Sequence, residues 1–149
     1  FERIVIFPEN KILRSKHLMP ILLFDGYCNL CNAWVKYIVK RNPAKTIRFA
    51  SLQSIAGRAL LDEHNIDKNY IDSLVFIEED RFSVSSTAAL RTLSYLSSWE
   101  SQLKFLLILP SPLRDLLYRF VARYRYKWFG KREQCMVPTA ELNDRFLPD

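Results

Sequence analysis

The spacing of apolar residues along this chain changes several times, and each change predicts a new element. The run Ile21–Phe24 is short, continuous and apolar, which is typical of a strand buried on both faces, and Asp25-Gly26 follows it as a turn signal. From Asn29 onward the apolar residues recur at helical spacing until Asn42-Pro43, which stops a helix. We therefore expect a buried strand followed by an amphipathic helix.

The same reading extends through the middle of the chain. Residues 46–52, TIRFASL, alternate β-branched and aromatic side chains with others and predict a second strand. A helix with Ser54 as its N-cap is expected next. Two β-like runs around residues 78–80 then predict a hairpin, and a third helix is expected from Thr87. The element order is strand, helix, strand, helix, strand, strand, helix.

This order predicts an α/β fold of the thioredoxin-like kind, in which a βαβ unit and a ββα unit share a mixed four-stranded sheet. A ferredoxin-like sandwich is the competing topology, which periodicity alone does not separate from it. We expect an N-terminal arm over residues 1–19 and a single domain over 20–149. Within that domain the core is expected at about 20–98 and a helical extension at about 99–149.

The predicted extension contains two helices separated by Pro110-Ser111-Pro112. The second helix has an apolar stripe that we expect to pack on the domain, formed by Leu113, Leu116, Leu117, Phe120, Val121 and Tyr124. Three arginines lie off this stripe and are predicted to face solvent: Arg119, Arg123 and Arg125.

Composition narrows the class of protein. The chain has 149 residues, of which 49% are hydrophobic and 26% charged, as expected for one folded domain. No apolar stretch is long enough to predict a membrane span. The three cysteines are too few for a secreted disulfide scaffold, so a reducing, cytoplasmic setting is expected. The net charge of +6 lies in residues 114–132, which hold seven basic residues and one acidic residue.

Cys28 and Cys31 are three residues apart where the first strand gives way to the first helix. Thiol–disulfide exchange needs a thiolate and a second thiol close enough to resolve the mixed disulfide. A cysteine at a helix N-terminus lies near unpaired N–H groups and the positive end of the helix dipole, which favour its ionised form. The position predicts Cys28 as the attacking thiol and Cys31 as the resolving thiol of a redox-active disulfide, with no other cofactor.

Other readings of the pair stay open. Two neighbouring cysteines also occur as inert core residues. A zinc site would need four ligands from Cys28, Cys31, Cys135, two histidines and carboxylates, and no second pair with ligand spacing exists, so no metal is predicted. A nucleic-acid or anionic-surface module built on the basic aromatic segment 119–132 is the other non-catalytic alternative, with nucleic acid the less expected partner.

Asp25 is the acidic residue beside the pair, three positions before Cys28. Its carboxylate has three candidate roles. It would accept a proton from Cys31 during resolution, or raise the thiol pKa by repulsion, or cap the turn.

Four separated segments resemble the DCC family of thiol-disulfide oxidoreductases, to which YuxK-like bacterial proteins belong. They are LLFDGYCNLCNAWVKYIVKR, RFASLQSIAGRALL, SLVFIEEDRFSVSSTAALRTL and RDLLYRFVARYRYKWFGKREQC. The D-x-x-C-x-x-C pattern of that family falls on Asp25, Cys28 and Cys31. The resemblance implies a thioredoxin-like fold and redox activity on a protein or low-molecular-weight thiol or disulfide. Thioredoxins carry a cis-proline before the third strand, whereas the matching stretch NYIDSLVF has none.

Substrate contacts are expected from two further places. The C-terminal segment RYRYKWFGKREQC is either core and solvated surface, or it folds back over the helix start that carries Cys28 and Tyr27. In the second case the contacts come from Tyr126, Trp128, Arg132 and Cys135, and Tyr27 beside the pair is a further candidate contact. The start of the third helix at Ser86 and Thr87 either receives an anionic group of the substrate or only caps its helix.

Overall fold

The computed structural model describes residues 19–67, 74–79, 81–134, 139–140 and 142–147. Its four strands are β1 (Ile21–Phe24), β2 (Arg48–Ser51), β3 (Val75–Glu78) and β4 (Arg81–Val84). Its α-helices are α1 (Asn29–Arg41), α2 (Ile55–Glu63), α3 (Ser85–Ser94) and α4 (Ser111–Phe129). Two 3₁₀ segments complete the description, at Trp99–Ile108 and Asn143–Arg145.

The four strands form one mixed sheet in the order β2-β1-β3-β4. β1 runs parallel to β2, with Ile21 opposite Arg48, and antiparallel to β3, with Ile21 opposite Ile77. β4 pairs with β3 in an antiparallel hairpin whose turn includes Glu79, a non-glycine residue at a φ of 52°. Asp80, expected in this turn, lies outside the described residues. The sheet confirms the predicted α/β, thioredoxin-like architecture.

The central strand β1 is buried on both faces, which explains its continuous apolar sequence. Leu22 and Phe24 point to one face, where they join the apolar residues of α1 and α3. Ile21 and Leu23 point to the other face and pack with α2. A helical layer on each side of the sheet therefore positions the end of β1, where the cysteine pair follows.

The local predictions agree closely with the observed elements. α1 ends at Arg41 beside the predicted Asn42-Pro43 stop, and Ser54 caps α2 by accepting a hydrogen bond from the Gly57 N–H at 2.9 Å. α3 begins at Ser85 rather than Thr87. The first expected helix of the extension is the 3₁₀ segment Trp99–Ile108.

The orientation of α4 contradicts the prediction. Leu113, Leu116, Leu117 and Phe120, which we expected to pack on the domain, are each more than half exposed. Arg125, expected in solvent, is 6% exposed. Three polar contacts on the other side of the helix fix its rotation, because Asp115, Tyr118 and Arg125 each reach a partner in the domain.

The last described residues return to the core. Arg145 is buried and donates to the carbonyl oxygens of Val39, Asn42 and Ile47. The Phe146 ring packs against Phe24 at a centroid separation of 6.0 Å. Residues 142–147 thus complete the core beside β2 instead of extending away from it.

Candidate active site

Cys28 occupies the N-cap position of α1, directly after the turn that ends β1. Its backbone is extended, with φ −84° and ψ 120°, and its Sγ accepts a hydrogen bond from the Cys31 N–H at 3.3 Å. Serine and aspartate oxygens usually fill this role, because they satisfy an unpaired N–H group of the first turn. At this position a thiolate is a better acceptor than a thiol, so the start of the helix favours the ionised form of Cys28.

The two thiols are held in opposite protonation states. The pKa of Cys28 falls to about 6, chiefly because it accepts a hydrogen bond from the Cys31 side chain, with smaller help from the Cys31 N–H and Arg125. Burial and the Asp25 charge oppose this shift. The same side-chain hydrogen bond, together with burial, raises the pKa of Cys31 well above its usual range. Cys28 is therefore a thiolate near neutral pH while Cys31 keeps its proton.

The Asp25 carboxylate is 3% exposed and accepts hydrogen bonds from four donors. Oδ1 accepts from the Tyr27 N–H at 3.0 Å and from Gln53 Nε2 at 2.8 Å. Oδ2 accepts from Arg125 Nη2 at 3.3 Å and from the Tyr126 hydroxyl. A carboxylate has about four lone-pair sites, so its hydrogen-bonding capacity is filled.

Arg125 is the functional residue that the sequence interpretation missed. Its guanidinium forms a buried ion pair with Asp25, with side-chain exposures of 7% and 3%. It lies 4.6 Å from the Tyr126 ring centroid and lowers the pKa of Cys28 by its charge. Asp25 at the end of a buried strand was the available signal, because a buried carboxylate needs a basic residue as its ion-pair partner. The sequence did not show which basic residue of the extension it would be.

The segment Gly130–Arg132 covers Cys28, and we call it the strap. The Arg132 N–H donates to the Tyr27 carbonyl at 2.7 Å, and the Asn29 N–H donates to the Gly130 carbonyl at 3.4 Å. Lys131 lies opposite Cys28 in an antiparallel bridge. Cys28 is consequently 0% exposed, whereas Cys31 is partly exposed.

A cavity of about 200 Å³ adjoins the pair between α1, α3 and α4. Cys31, Asp25 and Arg125 supply its polar groups, and the remaining wall is mostly apolar, with Trp34 and Val121 among its residues. Cys28 is not among the lining residues. The cavity therefore reaches Cys31 and the ion pair, while Cys28 lies under the strap.

The structure brings only part of the predicted substrate-binding set to this site. The Tyr126 hydroxyl donates a hydrogen bond to Asp25, and the Arg132 N–H donates one to the Tyr27 carbonyl. Trp128 is 52% exposed and stacks on Tyr124 with ring centroids 5.3 Å apart, and its role in substrate binding stays a prediction. The hydrogen bonds that orient α4 turn its side chain outward. Cys135 lies outside the described residues.

The start of α3 forms hydrogen bonds with the carboxylate of Asp115, a residue of α4. The Ser86 hydroxyl and its N–H both donate to Asp115 Oδ1. Arg114 Nη1 bonds the Ser86 and Thr87 hydroxyls, each at 3.2 Å. The Asp115 carboxylate thus occupies the place expected for an anionic group of a substrate, and substrate binding by Ser86 and Thr87 stays a prediction.

Within the described residues, no three His, Cys, Asp or Glu side chains come together as a metal-ligand group. No helix in the same part of the chain is long and apolar enough to cross a membrane.

A mixed sheet with a Cys-x-x-Cys pair at a helix N-terminus defines a thioredoxin-like domain with a dithiol site. Residues 22–131 match the family described as DCC1-like thiol-disulfide oxidoreductase, and the chain belongs to this family. It is 45% identical over 129 residues to "Uncharacterized protein YuxK" of Bacillus subtilis (strain 168), covering 86% of this chain and 93% of that protein. It is 42% identical to "DCC family protein At1g52590, chloroplastic" of Arabidopsis thaliana, covering 78% and 68%. No solved structure matches the chain.

Proposed function

We propose that this protein is a thiol–disulfide oxidoreductase in which Cys28 is the nucleophile and Cys31 the resolving thiol. The observation that supports this most strongly is the place of Cys28 at the N-cap of α1, where its Sγ accepts the Cys31 N–H at 3.3 Å. This contact and the Cys31 side chain lower the pKa of Cys28, while the pKa of Cys31 is raised. A reactive thiolate next to a protonated partner is the state that exchange requires. A reducing, cytoplasmic setting remains part of the proposal.

The reaction proceeds in two exchanges. The Cys28 thiolate attacks one sulfur of a substrate disulfide, forming a mixed disulfide and releasing the other sulfur as a thiolate, which takes up a proton. Cys31 then loses its proton and attacks Cys28 Sγ, forming the Cys28–Cys31 disulfide and releasing the second substrate thiol. The protein gives up two electrons and the Cys31 proton, a second proton comes from solvent, and the substrate disulfide becomes two thiols. The reverse sequence oxidises a dithiol substrate.

Access to Cys28 requires the strap to separate from residues 27–29, because Cys28 is 0% exposed beneath it. The contact includes two backbone hydrogen bonds and the Asn29 side chain, whose Nδ2 donates to the Phe129 carbonyl at 2.9 Å. Opening of the strap is thus a step before the first exchange.

Asp25 acts as a positioning residue in this proposal. Its oxygens already accept four hydrogen bonds, which supports a positioning role over the alternative of a proton acceptor. Its function is to hold the Arg125 guanidinium beside the thiols. Asp25→Asn should therefore raise the pKa of Cys28, because the released Arg125 no longer lowers it. A lower pKa of Cys28 in this variant would mean that Asp25 acts only through its own charge.

Trapping of mixed disulfides tests the assignment of the two thiols. The reduced protein is mixed with a small disulfide, and adducts are identified by mass spectrometry in a Cys135→Ser background. Cys31→Ser should accumulate the Cys28 mixed disulfide, because no thiol resolves it. Cys28→Ser should form no adduct and lose turnover.

The Cys135→Ser parent is the control for these variants and should cycle between dithiol and disulfide. An adduct that forms equally well in Cys28→Ser would show that Cys28 is not the nucleophile. Failure of the Cys135→Ser parent to form a reversible disulfide would contradict the proposed redox function itself.

A further inference from the structure

Exposed apolar side chains are concentrated in one part of the molecule. Among the residues that the structure describes, thirteen large hydrophobic side chains are exposed, and eleven of them lie between Trp99 and Phe129. Leu116 and Leu117 on α4 are 67% and 69% exposed. Six of the eleven line one open groove of about 900 Å³ between the 3₁₀ segment and α4, which we call the outer face: Leu106, Leu109, Leu113, Leu116, Leu117 and Phe120. A contiguous apolar surface of this kind marks an interaction site.

The exposed charged residues around the outer face are basic. Lys104, Arg119, Arg123 and Lys127 belong to the same two elements and are all exposed. The two acidic residues of these elements do not offset this positive charge at the surface. Glu100 is 1% exposed, and Asp115 accepts a hydrogen bond from the Ser86 hydroxyl. The outer face therefore combines exposed leucines with uncompensated cations.

This charge pattern argues against two occupants from the chain itself. A second copy would bring the same cations to the same surface, and like charges repel across an interface. Residues 1–18 contain four basic and two acidic residues, so their sum is also positive. An anionic partner is the one whose charge complements the face.

The exposed leucines distinguish between anionic partners. Nucleic acid would use the cations through its phosphates, but its binding gains little from protruding aliphatic side chains. An anionic bilayer uses both features, since leucine and aromatic side chains enter the acyl boundary while arginine and lysine bind headgroups. Phe120 and Tyr124, with ring centroids 5.2 Å apart, add an aromatic pair of the type found at membrane interfaces.

We propose that the outer face is a docking surface for anionic membranes, on which α4 lies parallel to the bilayer plane. The contact is peripheral, and the opposite side of α4 stays packed on the domain. Arg125, on that inner side, keeps its ion pair with Asp25 in the docked state. The outer groove and the cavity beside Cys31 share Ala89, Tyr118 and Val121, so docking brings the bilayer within one helix diameter of the resolving thiol.

Vesicle flotation of the full chain tests the proposal. The protein should float with vesicles of equal parts phosphatidylglycerol and phosphatidylcholine and remain at the bottom with phosphatidylcholine alone. Leu116→Gln/Leu117→Gln should weaken partitioning about tenfold or more, because both side chains lose their insertion energy. Arg119→Gln/Arg123→Gln should weaken it about fivefold for each charge removed.

Ile55→Gln is the matched control. Ile55 is 73% exposed on α2, which packs on the other side of the sheet, so its substitution should leave flotation unchanged. Equal binding to neutral vesicles, or equal loss in the control, would overturn the proposal. So would absence of flotation together with tight binding of a single-stranded oligonucleotide, or concentration-dependent dimerisation abolished by the leucine substitutions.

Discussion

The two sides of α4 differ in a way that hydrophobicity does not explain. The inner side contributes Tyr118, Val121 and Arg125 to the wall of the cavity beside the cysteine pair. The outer side presents Leu113, Leu117 and Phe120 to solvent. An isolated amphipathic helix would bury the leucines and expose the arginine, yet the structure shows the opposite arrangement.

Specific polar partners on the domain account for the difference. Arg125 reaches Asp25, and the Tyr118 hydroxyl accepts a hydrogen bond from the Leu74 N–H at 3.0 Å. Leaving a buried carboxylate and the Leu74 N–H before β3 without partners would cost several kilocalories per mole, which offsets much of the cost of exposing three leucines and Phe120. The inner side thus packs beside the cysteine pair, and the outer side is the proposed docking surface.

The largest expected effect is that of Arg125→Met on the inner side. Breaking a buried ion pair by removing one partner costs about 3–5 kcal/mol, because the Asp25 charge remains buried. The pKa of Cys28 should also rise, since Arg125 lowers it. Urea unfolding and the pH dependence of alkylation measure the two effects.

Arg123→Met is the control for this substitution. Arg123 lies on the same helix and is exposed, so its loss should change the free energy of unfolding by less than about 0.5 kcal/mol. Equal destabilisation by the two variants would mean that the two sides of α4 do not differ as described.

Tyr126→Phe should have the next largest effect. The Tyr126 hydroxyl donates to the Asp25 carboxylate, and hydrogen bonds to charged groups contribute about 1.5–3 kcal/mol. We expect unfolding at lower urea with an unchanged m-value. The hydroxyl itself has its pKa raised to about 12 by burial and the Asp25 bond, so the wild type and Tyr126→Phe should develop the same phenolate absorbance below pH 10. Phenolate formation by Tyr126 near pH 10 would contradict the bond.

Gly130→Ala tests the strap that joins α4 to the cysteine turn. Gly130 has a φ of 84°, and a Cβ there would lie 3.0 Å from Asn29 Nδ2. We expect a loss of about 1–3 kcal/mol and faster alkylation of Cys28, because the strap is held less firmly. Glu133→Ala, an exposed neighbour, is the control. Unchanged alkylation in Gly130→Ala would show that the strap does not limit access.

The smallest effect on the domain is expected from Leu117→Gln on the outer side. The side chain is 69% exposed, so the free energy of unfolding should change by less than about 0.5 kcal/mol, and the alkylation profile of Cys28 should stay the same. A large loss of stability, measured by urea unfolding, would mean that the outer side is packed.

The parts of the structure that depend on local pattern could be predicted from the sequence. Apolar spacing was enough for β1 and α1, and the position of Cys28 and Cys31 at their junction followed directly. The rotation of α4 about its own axis could not be predicted in this way. Its rotation depends on contacts between Arg125 and Asp25, one hundred residues apart, and helical periodicity carries no information about them.

The pH dependence of Cys28 alkylation in the reduced protein is the most direct test of the central claim, that α1 and Arg125 hold Cys28 as a thiolate. Because the folded pKa is lowered, the alkylation rate should rise with pH, reach half its plateau near pH 6 and change little above pH 8. Cys31→Ala should move this midpoint upward by removing the side-chain hydrogen bond to Cys28. A midpoint near the free-thiol value of about 8.5, unaffected by Cys31→Ala, would contradict the account.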